Sequence, residues 1–187
     1  MLRKSFATDV VQAIDDAYEK RTREKARAYI GASTIGTPCD ALLAFSLRGF
    51  PETPPDPKLK RIFLLGHKLE SMVVRDLRQA GLNVIERDGM TGKQHHYELL
   101  GGHIATNMDG HIEDQDGDVS VLEIKTMNDA NFAKFRDGGV RYSHPRYYAQ
   151  VQMMMGMSDI LQALFIAINK NTCAYQAEVV DFDEFEW

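Results

Sequence analysis

Cysteine is nearly absent: the 187 residues contain two, Cys39 and Cys173. Two thiols cannot build a disulfide framework or the four-thiolate cradle of an iron–sulfur cluster. They point to a reducing compartment, the cytoplasm. No apolar run approaches the roughly 18–20 residues that span a bilayer. The opening "MLRKSFATDVVQAIDDAYEK" carries Asp9, Asp15 and Asp16, which break up the apolar stretch that a secretory signal requires. Internal repeats and low-complexity tracts are missing too. With 44% hydrophobic and 26% charged residues, the composition fits one ordinary globular domain over residues 1–187.

Positive charge is missing from the C-terminal end. Between Gln176 and Trp187 there is no Lys or Arg, while Glu178, Asp181, Asp183, Glu184 and Glu186 account for the whole net charge of −5. The rest is balanced. A basic run lies at Lys20, Arg21, Arg23, Lys25 and Arg27, and Arg136, Arg141 and Arg146 alternate with Tyr142, Tyr147 and Tyr148. Local patches, more than the total, decide phosphate binding. The acidic balance therefore does not exclude a nucleic-acid partner.

The spacing of Phe6, Val10, Val11, Ile14 and Tyr18 predicts an amphipathic helix over 5–28. Residues 33–37 read as a turn, and Pro38 suits the first turn of a short helix ending near Arg48. The stiff "PETPPDP" at 51–57 connects this N-terminal helical segment (1–57) to the core (58–187). A long helix is expected from Lys58 to Ala80, stopped by Gly81. Beyond it "LNVIE", "HHYEL", "HIATNMDGHIE" and "VSVLEIKTM" read as strands, the last two joined by "DQDGD". Helices over 129–137 and 145–157 follow, then a hairpin of "ILQALFIAIN" and "CAYQAEVVDF". The order predicts an α/β fold with a mixed central β-sheet flanked by helices.

In "VLEIKTM", strand alternation puts Val121, Glu123 and Lys125 on one face and Leu122, Ile124 and Thr126 on the other, toward the core. Asp109, one hairpin earlier, comes within about 5 Å of that face if the two strands pair. Two carboxylates from neighbouring strands make a hard oxygen site suited to magnesium or manganese, with Lys125 able to hold a phosphate or an attacking hydroxide. The competing interpretation is a cross-strand Asp109–Lys125 salt bridge on a solvated face, worth less than about 1 kcal/mol. On the long helix, Glu70 falls inside the apolar stripe of Leu59, Ile62, Phe63, Leu69, Val73 and Leu77, with His67 at its edge. A buried carboxylate needs a partner or a cation. Gln150 is an amide on a mostly apolar helix among Tyr147, Val151 and Met154. It either braces the carboxylate site, touches DNA, or is a satisfied core amide.

Asp109, Glu-x-Lys at 123–125, an upstream His/Glu helix and a downstream Gln helix, in that order, resemble the PD-(D/E)XK nuclease superfamily. The likeness is greatest to its RecB-type and lambda-exonuclease-like (YqaJ-like) phage or prophage recombination exonucleases. "GASTIGTPCDALLAFSLRG" resembles their Ser-x-x-Gly-x-x-Cys segment, "GHKLESMVVRDLRQAGLNV" their His/Glu helix and "YYAQVQMMMGM" their Gln motif, together covering about 31–157. The resemblance implies a restriction-endonuclease-like core and Mg2+-dependent hydrolysis of DNA (Mn2+ substituting). Its metal ligands would be Asp109, Glu123, the Ile124 carbonyl and His67, and its catalytic lysine Lys125. Glu70 and Gln150 would support catalysis, and Ser33, Arg136, Arg141, Arg146, Tyr147 and Tyr148 would line the DNA track. The expected activity is an exonuclease of recombination, replication or repair, acting mostly through DNA-backbone contacts. A homo-oligomer or a single-strand annealing partner protein would accompany it. The alternatives are a structure-selective or restriction-type endonuclease and a catalytically silent DNA-binding member. Three positions depart from the pattern: Met108 where a proline is frequent, Ala41 where relatives often carry Arg, and Met154 in place of an aromatic. The chain also ends at "DFDEFEW", where a C-terminal helix is expected in such relatives.

Two other motifs carry less. "DGMTGK" at 88–93 ends in Gly-Lys but lacks the spacing and the following Ser/Thr of a P-loop. His95, His96, His103 and His111 suggest zinc, yet adjacent strand residues 95 and 96 face opposite ways and no cysteine lies near.

Overall fold

The computed structural model describes residues 3, 5–21, 28–51 and 53–185. Arg23, Lys25 and Arg27 of the basic run lie outside the described residues, as does Glu186 of the acidic tail. The elements, in chain order, are α1 (Ser5–Glu19), β1 (Ile30–Gly31), α2 (Ala32–Ile35), α3 (Asp40–Leu47), α4 (Pro57–Gln79), β2 (Asn83–Ile85) and β3 (His96–Leu99). A turn of 3₁₀ helix (Leu100–Gly102) leads to β4 (Ile104–Asn107), β5 (Gly110–Glu113), β6 (Val119–Met127), α5 (Asp129–Ser143), α6 (Pro145–Ser158), β7 (Gln162–Asn169) and β8 (Tyr175–Asp181).

The main sheet runs β2-β5-β6-β7-β8, with β6 and β7 parallel and every other pair antiparallel. A parallel pair needs a crossover, and α5 and α6 supply it. Helices therefore cover the sheet on both sides. Leu122 and Ile124 of β6 pack with Val73 and Val74 of α4, Ile112, Ile166 and Ile168. Val121 and Met127 pack with Phe132 and Phe135 of α5, Val151 and Met154 of α6, and Phe165. The face carrying Glu123 is thus a second core and not a solvated surface, because β6 is a central strand enclosed on both sides.

Several boundaries differ from the sequence expectation for identifiable reasons. "HIATNMDGHIE" is two strands in two sheets, since β4 pairs with β3 and β1, whereas β5 joins the main sheet. Of residues 33–37, expected as a turn, 33–35 belong to helix α2 (Ala32–Ile35), which follows directly on β1. Ile30 lies against Ile104 of β4, so the N-terminal segment adds a strand as well as helices. Asp56, with Pro57 in the first turn, starts α4: its carboxylate accepts from the Leu59 N–H at 2.6 Å. Helix α5 continues past residue 137 through a kink at Gly139 (φ 67°), where the Glu178 carboxylate accepts from the Val140 N–H at 2.7 Å. Finally, only the C-terminal half of the α4 stripe is covered. Val73 is buried, but Leu59, Ile62 and Phe63 stay exposed, as do Phe6, Val11 and Ile14 of α1.

Candidate active site

Asp109 stands in the link where the chain leaves β4 and enters β5. Its Oδ2 accepts from the Ile124 backbone N–H at 2.8 Å, continuing the β5–β6 ladder past its last residue pair, Gly110–Leu122. That bond explains why the predicted single strand breaks here, since the break lets a side chain take the place of a backbone acceptor. Glu123, 1% exposed, points from β6 toward α6. Its Oε1 accepts from Gln150 Nε2 at 2.8 Å and from Lys125 Nζ. Its Oε2 is buried with no hydrogen-bond partner.

The cluster has an unbalanced charge. Burial, then the Glu123 and Glu70 carboxylates, push the Asp109 carboxyl well above its usual range. Burial also raises the Glu70 carboxyl, against the pull of His67. At Lys125 burial works to lower the ammonium, but Glu123 and Asp109 outweigh it and raise the group above its ordinary value. Three carboxylates thus share one half-buried cation, and one carboxylate oxygen has nothing to accept from. This is the donor environment of a hard divalent cation. Among the described residues no three His, Cys, Asp or Glu side chains converge as a ligand set. Two carboxylates, Asp109 and Glu123, are the core of what the site offers. Few protein ligands plus water is a shell that suits magnesium.

The structure brings together Asp109, Glu123, Lys125, Glu70 and Gln150 from four separate segments, the β4–β5 link, β6, α4 and α6. His67 is less engaged: its side chain is 78% exposed and its Nδ1 lies 3.6 Å from Glu70 Oε2, at the rim. Of the residues expected on a DNA track, Ser33 and Arg146 are exposed, on α2 and at the start of α6. Those two helices touch so closely that a Cβ on Gly36 would come within 2.8 Å of the Arg146 Cα. Arg136 is exposed and bonds its neighbour Asp137 at 2.8 Å. Two of these residues are engaged within the fold. Tyr148 is buried in the core, because the α6 face it occupies packs on the sheet. Arg141 lies over the Tyr148 ring and pairs with Asp183 at 3.2 Å, so it serves the tertiary fold. Tyr147 turns inward, its ring 5.0 Å from Lys125 Nζ.

Sequence reasoning missed His144, which stacks on Tyr147 (ring centroids 5.4 Å apart, 8° between planes); the i, i+3 spacing across Pro145 was the available signal. It also missed that His95 and His111 meet, with ring centroids 4.1 Å apart and both Nε2 atoms buried without partners. The 88–93 segment is a hairpin tip in which Asp88 Oδ1 accepts from the N–H groups of Met90 and Thr91, with no helix after it.

The sequence pattern of the YqaJ-like viral recombinase domain matches residues 27–160, which contain every element of this cluster. The chain belongs to that family. No curated protein matches it closely. Among solved structures the YqaJ-like chain is similar to LHK-Exo in complex with dAMP (TM-score 0.59, 15% identity), covering 94% of this chain and 84% of that one. The alkaline exonuclease LHK-Exo from Laribacter hongkongensis in a second structure gives TM-score 0.59 at 18% identity, covering 93% and 84%. A phage-related exonuclease from Haemophilus somnus 129PT gives TM-score 0.54 at 13% identity, covering 84% and 86%. These likenesses establish that the YqaJ-like chain has the fold of exonucleases, a mixed α/β, restriction-endonuclease-like architecture. Among its described residues no helix is long and apolar enough to cross a membrane.

Proposed function

We propose that the protein is a metal-dependent DNA exonuclease of phage-type recombination. What carries this reading is the group formed by half-buried Asp109 and Lys125 around buried Glu123, with an orphaned Glu123 oxygen and an excess of carboxylate over ammonium. Family membership and the fold shared with exonucleases support it. Asp109, Glu123 and the Ile124 carbonyl would hold magnesium, with His67 the outermost candidate. When bound, the ion would polarise the scissile phosphate and acidify a water.

The chain's own side chains do the rest. Gln150 fixes the Glu123 carboxylate by donating to Oε1, so its orphaned oxygen faces one direction. Lys125, kept protonated by its carboxylate neighbours, offsets charge that builds on the phosphate oxygens and orients the nucleophile. Glu70, partly buried and raised in pKa, would take a proton from an attacking water. Ser33, Arg146 and Arg136 are the exposed polar groups left for the DNA backbone, which gives affinity without sequence preference.

The test is incubation of linear and closed-circular duplex with magnesium, manganese or EDTA. Metal-dependent loss of linear DNA with circles intact is the expected result. Cleavage of circles would make the protein an endonuclease. Binding without cleavage in either metal would make it a silent member of the fold.

A further inference from the structure

The residues around Lys125 include one whose role is not accounted for by the cation site. Charged and titratable groups approach Lys125 from its own strand (Glu123), from the β4–β5 link (Asp109), from α4 (Glu70) and from α6 (Tyr147). The carboxylates are committed: Asp109 and Glu123 are the proposed ion ligands, and a Glu123 engaged with an ion has less to give its neighbour. Lysine is a compact charge on a flexible four-carbon stem, costly to hold in one rotamer. The Tyr147 ring, with Nζ 5.0 Å from its centroid, is the contact that does not depend on Glu123.

That ring is itself held. His144 lies nearly parallel to it, 8° between planes at 5.4 Å, and Phe165 of β7 packs at 6.2 Å. The His144 Nδ1 is 2.7 Å from Ser143 Oγ, which also donates to the Gly139 carbonyl. Backbone geometry adds a further tie, since the Tyr147 N–H donates to the His144 carbonyl at 2.9 Å and Pro145 sets the first turn of α6. A tyrosine with three neighbours from its own chain has little freedom to serve the DNA track, the role expected of it from the resemblance.

We infer that Tyr147, braced by His144 and Phe165, is a positioning residue that holds the Lys125 ammonium at the scissile phosphate. The inference rests on the nuclease reading above, and its test separates the two. Wild type, Tyr147→Phe, Tyr147→Leu and Tyr147→Met are compared, the last two replacing the ring with branched and unbranched side chains in case one of them folds poorly. An aromatic ring shifts the ε-methylene proton resonances of a lysine lying over its face upfield. The Lys125 signal is assigned by its loss in Lys125→Met.

The upfield signal persists in Tyr147→Phe and collapses to the ordinary lysine position in the Leu and Met variants. In the same two variants kcat falls roughly ten- to thirtyfold, the size of a desolvated cation–π contact. KM and DNA binding measured in EDTA stay within about twofold, and Tyr147→Phe recovers most of the rate. A signal unmoved in the Leu and Met variants overturns the inference. So does a loss of DNA affinity in EDTA with kcat retained, which would make Tyr147 a DNA contact. If the wild type cuts no DNA, the nuclease reading fails while the resonance still decides whether the ring holds the ammonium.

Discussion

Replacing Gln150 by methionine isolates the contribution of one hydrogen bond at the centre of the cluster. The side chains are close in length and volume, so little cavity cost enters. Gln150 is 7% exposed and donates at 2.8 Å to Glu123, 1% exposed. A hydrogen bond to a charged group contributes about 1.5–3 kcal/mol, and its loss leaves Glu123 with Lys125 alone. At about 2 kcal/mol, a domain of this size loses about 4–8 °C of Tm. Thermal melts in EDTA read that term without any metal. Because the same bond orients the proposed ion ligand, degradation of duplex DNA in magnesium should fall by about 10–100-fold, as for other residues that orient metal ligands. A Gln150→Met protein with unchanged Tm and unchanged rate would refute the idea that this amide holds Glu123. Gln150 would then be only a satisfied core amide.

Other perturbations test separate parts of the account. Asp109 has its folded carboxyl raised by burial and by Glu123 and Glu70, so folding takes up a proton and metal-free stability falls as pH rises from the unfolded value of about 4 through the raised folded one. Asp109→Asn should therefore be more stable than wild type in urea at pH 8 with EDTA, less so at pH 5, and inactive; a variant less stable at pH 8 would contradict the charge imbalance. Manganese should raise the wild-type Tm in a concentration-dependent way, by about 2.7 kcal/mol of stability at a hundredfold excess over Kd. Little or none of that rise should remain in Glu123→Gln. Gly36→Ala places a Cβ 2.8 Å from the Arg146 backbone and should cost about 1–3 kcal/mol in denaturant melts, with Tm falling and α6 displaced. An unchanged melt would show that α2 yields freely.

How far the sequence was legible depended on whether a feature left a local pattern. Helix α4, with Asp56-Pro57 at its start, and strand β6 with its alternation could be read within a residue or two. Glu123 and Lys125 shared a face for the reason given by strand geometry, and Gln150 stood out as an amide among apolar neighbours. The split of β4 from β5 was not legible, because the cause is a hydrogen bond from the distant Ile124 N–H to Asp109. Nor was β1, whose two residues have no period and exist as a strand only by pairing with Ile104 and Ala105. The apolar stripe of α4 was legible as a pattern, but no pattern says that Leu59, Ile62 and Phe63 stay exposed while Val73 is buried. Tyr147 and Tyr148 are adjacent and chemically alike. Only the rotation of α6 decides that one sits over Lys125 and the other is buried beneath Arg141.

The most direct test of the central claim is end-labelled linear duplex incubated with wild-type protein and with Lys125→Ala, each with magnesium and with EDTA. The account predicts label released by the wild type in magnesium alone, at least a hundredfold less by the variant, and DNA binding retained by both. Equal release with EDTA, or an unimpaired Lys125→Ala protein, would contradict it.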